Sequence, residues 1–443
     1  MKKRPIKYYF FRGVALMFIV NCATLQAADS LDFSVTVLSP ENRPEAVVEV
    51  VLDSICPDVL LSENNSSDLN QVCGYIALAT PEQIADVTEE LSAKANTSTS
   101  TLTTRTPSTR FSGGIGGRLS ALRNSSKKSS TNSFRAKRNR QSVDVPIFNM
   151  QQDEVGGLFS QQLSGFVNVN AVSAEQLETS TEIGYRSSSS GLLFGVDYRL
   201  KKSSFIGLAS QYYQTDASLT DRNSELNSAM LGVTVYGTHF INDQWYVEST
   251  VSHNNQDLDL KRQIDLVLGA ESVSVIANGE TNSEQLGVYL GTGFDQPLPY
   301  GVNASASFGL SYASTEISGY TEKGAENLGL EIDSQSITSM SSYTMLYVSK
   351  AFSKNFGVLF PQLSASWIHE METEEELIIA NFVDDDNKFT FRTPQPDPNY
   401  FIIGADLQLL LAHGRMAYVK YSNVRLLRDK IEHVASAGFR LEF

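Results

Sequence analysis

The sequence predicts an all-β protein: a twelve-stranded antiparallel transmembrane β-barrel, preceded by a small N-terminal region and a basic linker. Three observations carry this prediction. Segments of about ten residues with alternating apolar and polar side chains recur from Leu163 to Phe443. Short turns alternate with longer loops along the same stretch. Finally, the chain lacks a run of about 18 apolar residues, the length that a transmembrane helix needs.

Composition narrows the classes of function. The chain has 443 residues, with 35 Lys+Arg against 50 Asp+Glu, which gives a formal net charge of −15. An acidic protein of this kind is a poor partner for nucleic acid, so we expect no nucleic-acid binding. Three cysteines and five histidines are little material for a metal cluster or a redox enzyme. We therefore predict no metal site and no cofactor.

The first 27 residues have the pattern of a cleaved signal peptide. An apolar run at 13–20 follows a basic segment, and the stretch Leu25–Ala27 ends on the small residue that cleavage requires. An uncut N-terminal anchor is the alternative, although the apolar run is too short to span a bilayer. Removal of the leader would also remove Cys22. The remaining pair, Cys56 and Cys73, is then predicted to form a disulfide in an exported protein, with two free thiols as the alternative.

Residues 28–78 are predicted to form a small disulfide-stapled β unit. Apolar residues alternate with polar ones over 31–37, and the stretch 46–55 is rich in β-branched side chains. An amphipathic helix is predicted at 79–94. There, Thr80 and Gln83 have the spacing of a capping box, and Pro81 suits the first helical position.

Residues 95–143 are predicted to be a flexible basic linker. Ser, Thr and Asn dominate, and the span 101–143 holds ten basic residues and no acidic one. Such a composition cannot bury enough apolar surface to fold alone. Three roles stay open for this segment: a spacer, a basic chain attracted to an acidic barrel lumen, and a ligand for lipopolysaccharide phosphates. The inward positions that would carry the lumen charge are Glu248, Asp406, Glu432 and Glu442, with Arg199, Lys420 and Arg440 as basic exceptions.

The barrel domain is predicted to cover 144–443, with strands from about residue 163. In Val302–Tyr312, for example, apolar side chains occupy one face and small or polar side chains the other. We expect loops at 262–279 and 372–398. A soluble β-sandwich or solenoid would explain the alternation but not the unequal loop lengths. The strands are predicted near 163–173, 191–200, 205–218, 227–241, 245–261, 280–295, 302–317, 333–352, 356–371, 399–412, 415–425 and 431–443.

The C-terminal strand carries the most specific motif. Phe439, Leu441 and Phe443 lie on its apolar face, and the last residue, Phe443, is aromatic. This pattern resembles the assembly signal of bacterial outer-membrane barrels, and we predict that role for the three residues.

Several motifs together resemble the C-terminal barrel of autotransporters, the type V secretion proteins. They are Gly195–Arg199, Trp367–Glu370, Gly438–Phe443 and, upstream, Thr80–Gln83 and Gly117–Arg123. The resemblance implies a monomeric barrel in the outer membrane of a Gram-negative bacterium, with long loops facing outside. It also implies three partners: outer-membrane lipid, lipopolysaccharide and the barrel-assembly machinery. The barrel would translocate or display its own N-terminal region, which is short for this family. In the alternative, a structural or ligand-binding barrel leaves that region in the periplasm.

Motifs for catalysis give no candidate residues. The chain has neither a Gly-x-Ser-x-Gly elbow nor a phosphate-binding Gly-x-x-x-x-Gly-Lys loop. The stretch Ser252–Asn255 does not resemble the motif of outer-membrane phospholipases, so a barrel hydrolase is only a remote alternative. The acidic residues at 370–386 are predicted to form a solvated loop, with Ca²⁺ binding as the alternative.

Overall fold

The structure is a computed structural model. It describes residues 43–61, 67–92, 94–113, 119, 135–138, 141–144, 163–201, 203–219, 223–411 and 415–442. The chain divides into two compact units, Met1–Pro40 and Glu41–Phe443, and the description below concerns the second. The predicted leader at 1–27 and the predicted strand at 31–37 lie outside the described residues.

The helices come first along the described chain, and the strands follow. The helices are α1 (Pro44–Leu61), α2 (Asp68–Ile76), α3 (Pro81–Leu91) and α4 (Lys94–Gly113). The strands are β1 (Arg135–Arg138), β2 (Gln141–Asp144), β3 (Leu163–Gln176), β4 (Tyr185–Lys201), β5 (Ser204–Leu219), β6 (Glu225–Phe240), β7 (Trp245–Leu268), β8 (Glu271–Pro297), β9 (Val302–Ile317), β10 (Tyr320–Thr321), β11 (Leu330–Ile332), β12 (Gln335–Lys350), β13 (Phe352–Lys354), β14 (Gly357–Glu370), β15 (Leu377–Phe382), β16 (Phe389–Arg392), β17 (Asn399–Leu410), β18 (Met416–Arg425) and β19 (Lys430–Glu442).

Twelve strands of the described chain close into an antiparallel barrel. Their order around the barrel is β3 to β9, then β12, β14, β17, β18 and β19. The barrel closes because β19 pairs with β3, placing Phe439 opposite Val167. Each of the twelve predicted strands overlaps one of these, so the predicted fold class and strand number are confirmed. Closure leaves no open backbone edge, which lipid would not tolerate.

The two faces of the barrel wall have opposite character, as the alternation predicts. Leu290 and Leu407 point outward and are 61% and 41% exposed, whereas Gln408 points inward and is 6% exposed. On the inner face, tyrosine rings lie over glycines of the neighbouring strand. A Cβ atom on Gly207, for instance, would lie 2.1 Å from the ring of Tyr236. These glycines are therefore required by packing rather than by backbone conformation.

The two ends of the barrel differ, and we name them by their connections. At the turn end, short turns such as 241–244 and 298–301 join the strands, and β3 begins and β19 ends there. At the loop end, the structure corrects the loops predicted at 262–279 and 372–398. Strands β7 and β8 continue beyond the barrel as a hairpin that turns at Gly269, where φ is +71°. The second predicted loop contains β15 and β16, which form a four-stranded sheet with β10 and β11 in the order β10, β11, β15, β16.

The described part of the predicted β unit, residues 43–61 and 67–78, is mainly helical, so the strand predicted at 46–55 is wrong. The predicted strand at 46–55 lies within α1, whose buried residues Val48, Val51, Leu52 and Ile55 recur at helical spacing. The predicted helix is confirmed as α3, with Thr80 and Gln83 forming the capping box. The predicted disulfide is present between Cys56 of α1 and Cys73 of α2, with their Cα atoms 5.1 Å apart. Within the described residues, no helix combines the length and apolar character needed to cross a membrane.

The predicted flexible linker at 95–143 is also corrected, at its beginning and at its end. Residues Lys94–Gly113 form the helix α4, and β1 and β2 form an antiparallel pair. The barrel buries the side chains of residues 95–103, which explains why this part of α4 folds despite its composition.

Candidate functional site: the lumen and the loop-end cap

Helix α4 occupies the loop end of the barrel lumen. Its first turns donate hydrogen bonds to the barrel rim: Thr97 Oγ1 to the Thr181 carbonyl at 2.6 Å, and Ser98 Oγ to the Ile183 carbonyl at 3.0 Å. Ser100 Oγ donates to Gln335 Oε1 at 2.6 Å on the opposite side. The rim therefore holds the helix from several strands at once.

The side chains of α4 suit a narrow polar channel. Hydroxyl groups bond back to carbonyls one turn earlier, as Thr99 does to Ala95 at 3.1 Å and Thr103 to Thr99 at 2.8 Å. Residues 95–103 are almost completely buried. Small side chains that satisfy their own polar groups let a helix pack in the lumen without leaving unpaired donors.

Two leucines, Leu102 and Leu119, lie in separate apolar clusters of the barrel. Leu102 of α4 lies in an apolar cluster near the loop end with Tyr185, Ala217, Leu226, Leu258, Leu260, Ile317 and Ile337. Leu119 lies in a second cluster with Phe166, Leu193, Phe205, Ala209 and Tyr236, close to where β3 and β5 begin at the turn end. Leu102 thus lies toward the loop end of the lumen and Leu119 toward the turn end.

A buried ion pair fixes the depth of α4. Arg262 of β7 and Glu322, which follows β10, form a bidentate pair, with Nη2–Oε2 at 2.6 Å and Nε–Oε1 at 3.1 Å. Their side chains are 3% and 0% exposed. Asn96 of α4 donates to Glu322 Oε1 at 3.3 Å and to the Tyr320 hydroxyl at 2.8 Å. Burial, followed by the negative charge of Glu322, raises the pKa of Tyr320, so this hydroxyl stays neutral.

A second buried charge ties α4 to the preceding helices. Lys94 Nζ lies 2.7 Å from Glu45 of α1 and 3.5 Å from Glu89 of α3. The lysine side chain is 5% exposed. The start of α4 therefore has a fixed position relative to both helices.

Helices α1–α3 share one hydrophobic core with three loop-end segments of the barrel; we call this assembly the loop-end cap. The disulfide lies within this core. The helices also contact the β7–β8 hairpin through polar groups, since the Asp265 amide donates to Glu90 Oε2 at 3.4 Å. The barrel residues in the core are Ile264, Leu266, Leu268, Val273 and Ala277 of the hairpin, Ala325, Leu328, Leu330 and Ile332, and Ile378, Ala380, Phe382, Phe389 and Phe391.

Charged side chains line the turn end of the lumen. Asp197 accepts hydrogen bonds from Ser164 at 3.1 Å and from the Tyr236 hydroxyl. Arg440 pairs with Glu442 at 2.7 Å and donates to Ser164 at 3.2 Å. Of the charged positions predicted to point inward along the barrel, Glu248, Asp406, Glu432 and Arg440 are buried, and Arg199, Lys420 and Glu442 are partly buried.

Comparison with known proteins assigns the barrel. A family model described as "Autotransporter beta-domain" matches residues 165–422, more than half of the chain. This chain belongs to the autotransporter beta-domain family. The family places the barrel in the outer membrane of a Gram-negative bacterium.

Individual relatives of this autotransporter barrel are distant. Esterase EstA of Pseudomonas aeruginosa and that of Pseudomonas putida are each 28% identical over 228 residues, which is 49% of this chain. The match spans 33% of the length of these esterases. The translocator domain of NalP from Neisseria meningitidis is 14% identical with a TM-score of 0.51, covering 65% of this chain and 90% of that domain. The beta domain of the Bordetella autotransporter BrkA is 16% identical with a TM-score of 0.48, covering 63% of this chain and all of that domain.

The predicted assembly residues of the autotransporter barrel lie on β19. Phe439 points outward, and Leu441 on the same face is half-buried. Phe443 lies outside the described residues. Their role in assembly remains a prediction.

The acidic segment at 370–386 is more ordered than predicted. Its strand β15 buries Ile378 and Phe382 in the loop-end cap, while Glu375 pairs with Arg392 at 3.4 Å. Partial burial, together with the charges of Glu372 and Glu374, raises the pKa of Glu376. Across the described residues, no group of three or more acidic, histidine or cysteine side chains is arranged to hold a metal ion.

Sequence reasoning missed the residues that position α4. Arg262 stands 60 residues from Glu322, and Asn96 stands 226 residues from it. One local signal was present: Arg262 falls on the inward, apolar side of β7, between Leu260 and Ile264. A charge at such a position indicates a buried partner.

Proposed function

We propose that this barrel carries its own N-terminal helices to the outside of the outer membrane and keeps them there, docked on its loops. The observation that carries the proposal is the shared core of the loop-end cap, which joins α1–α3 to segments from three parts of the barrel. Helix α4 connects the two parts through the lumen. The work of the barrel is therefore to position a chain rather than to perform a reaction.

The contacts of α4 support retention rather than release. Hydrogen bonds to opposite sides of the rim, the Arg262–Glu322 pair and the Lys94 ion pairs all fix the helix after the chain has passed through. Releasing the N-terminal helices would expose their apolar faces and those of the loops together, which costs free energy in proportion to the area exposed.

The orientation of the barrel belongs to the same proposal. We place the loop end outside the cell and the turn end in the periplasm, because outer-membrane barrels have long extracellular loops and short periplasmic turns. The leader at 1–27 would direct export and be removed, and the barrel would contact outer-membrane lipid and lipopolysaccharide as a monomer.

Protease access in intact cells tests the proposal. A specific cleavage site is inserted after Leu61, the last residue of α1, and before Ser67, which precedes α2. A matched site in the turn at 241–244 serves as the control for the turn end. Cleavage of the first site in intact cells, with cleavage of the second only after permeabilisation, is the expected result. Cleavage of both sites only after permeabilisation would establish the periplasmic alternative.

The barrel-assembly machinery is the remaining proposed partner. We infer that Phe439, Leu441 and Phe443 form the signal that it reads. Deleting Phe443 should lower the amount of heat-modifiable barrel in the outer membrane, whereas the inward Glu442→Ala change should not. Normal assembly of the deletion variant would contradict this role.

A further inference from the structure

One wall of the lumen carries buried side-chain oxygens that have no protein partner. Six of them, all in the described part of the chain, lie on three adjacent strands: Asn168, Asn170 and Gln176 of β3, Ser422 of β18, and Glu432 and Ser436 of β19. All six side chains point inward and are at least nine-tenths buried. We call this group the polar wall.

The strand register arranges the polar wall as a column. Asn168 lies opposite Gly438, Asn170 opposite Ser436, and Gln176 opposite Lys430. Ser422 and Glu432 lie between the Ser436 and Gln176 levels on the two neighbouring strands. The column extends from Asn168 to Gln176, eight residue steps of β3, or about 26 Å along the strand. It therefore follows most of the length of the barrel wall.

The hydrogen bonds that these residues do make fix their side chains in place. Asn168 Nδ2 donates to the Tyr418 hydroxyl at 2.5 Å, and Asn170 Nδ2 donates to the Tyr213 hydroxyl at 2.9 Å. Lys430 lies 3.2 Å from one oxygen of Glu432. Asn168, Asn170 and Glu432 thus each have one polar atom held by the barrel and one oxygen left for a different partner, whereas Ser422 and Ser436 have only the unpartnered hydroxyl.

We infer that the polar wall binds a file of water molecules between the barrel and the chain in the lumen. A buried acceptor without a hydrogen bond loses its solvation and gains nothing, and native proteins hold very few such atoms. Six along one wall therefore indicate a ligand that reaches all of them. Water fits because it donates to isolated oxygens at any spacing and bridges neighbouring ones.

The opposite side of the lumen is apolar around Leu102. There, Leu102 of α4 packs on Ala217, Leu258 and Ile337 in an apolar cluster that offers water no partner. The lumen is thus wet along β18, β19 and β3 and dry where Leu102 packs against the apolar cluster. This inference depends on the wall chemistry alone and stands whether or not the N-terminal helices are exported.

Silver ion tests the inference, because it travels only through water and binds thiols. Ser422→Cys and Ser436→Cys place thiols in the polar wall, and Ala217→Cys places one in the apolar cluster. All three sites are nearly completely buried, at 1%, 7% and 4% exposure. The unaltered chain, with Cys56 and Cys73 in a disulfide, gives the background. Heat-modifiability confirms that each purified variant is folded.

We expect both serine-derived thiols to gain silver in the intact barrel, measured by mass spectrometry, and the Ala217→Cys thiol to stay protected. Protection of all three thiols, or equal reaction of all three, would overturn the inference. A crystal structure that resolves water is an independent check on the unaltered protein. Water density within hydrogen-bonding distance of most of the six oxygens is expected there, and a dry wall would overturn the inference.

Discussion

At several positions on the inner wall, a tyrosine ring from the neighbouring strand leaves room only for glycine. Tyr236 lies over Gly207, where a Cβ would come within 2.1 Å of the ring, while Gly237 on the opposite face has its nearest neighbour at 3.3 Å. We expect Gly207→Ala to destabilise the barrel by about 1–3 kcal/mol, the cost of overpacking. Gly237→Ala is the control and should have little effect. Urea unfolding in detergent measures both, and equal stabilities would contradict the packing role of Gly207.

The buried ion pair at the start of α4 gives a second prediction at this scale. Glu322→Gln leaves Arg262 buried without a charged partner, and such losses cost about 3–5 kcal/mol. The double variant, Glu322→Gln with Arg262→Met, should recover part of the lost stability because it leaves no buried charge unpaired. The exposed pair Lys388–Asp333 is the control, where Asp333→Ala should cost about 1 kcal/mol or less. Thermal unfolding measures the stability of each variant. If the effects of the two single substitutions simply added in the double variant, Arg262 and Glu322 would not be energetically coupled.

Among single residues, the sequence predicts those whose chemistry is local. Cys56 and Cys73 are predictable because an even pair in an exported chain forms a disulfide. The Arg262–Glu322 pair is not, since nothing in one sequence connects positions 60 residues apart.

At the scale of elements, the barrel strands follow from alternation, whereas α1 and α4 do not. A strand with one face in lipid must alternate, so each strand carries its own signal. Helix α4 is rich in Ser and Thr, which are weak helix formers, and it depends on the lumen for its stability. In α1, the β-branched residues favour a strand locally, but Val48, Val51 and Ile55 lie at helical spacing and are buried on one face.

The two faces of a strand should respond differently to charge. Leu290→Arg or Leu407→Arg puts a cation in lipid and should cost about 2–4 kcal/mol near the midplane. Gln408→Arg is expected to be milder, because its side chain points inward and already lies 3.0 Å from Asp406. A folding titration into lipid vesicles measures all three. Equal effects on both faces would show that the assigned register is wrong.

At the scale of the whole molecule, the loop-end cap makes the N-terminal helices and the barrel loops one folding unit. Neither part can bury its apolar face alone: Leu52 and Val72 on the helix side meet Ile378 and Phe391 on the loop side. The prediction of a loop at 262–279 misses this union, although the alternation of β7 and β8 continues past the length that a membrane requires. Extra strand length at the loop end is thus a signal of a docked partner.

Because the helices and the barrel loops share one core, we expect a substitution that detaches the helices to loosen the loops as well. Leu52 is 1% exposed in α1, and Leu52→Asp should detach the helices, because an unpaired charge cannot stay in an apolar core. We expect proteases added to intact cells to cut the β7–β8 hairpin near Gly269 and the segment 377–392, while the barrel stays heat-modifiable. Val50→Asp is the matched control on the same helix, since Val50 is 70% exposed. Unchanged resistance of the loops in Leu52→Asp would mean that they fold without the helices, and the cap would then be two separate structures in contact.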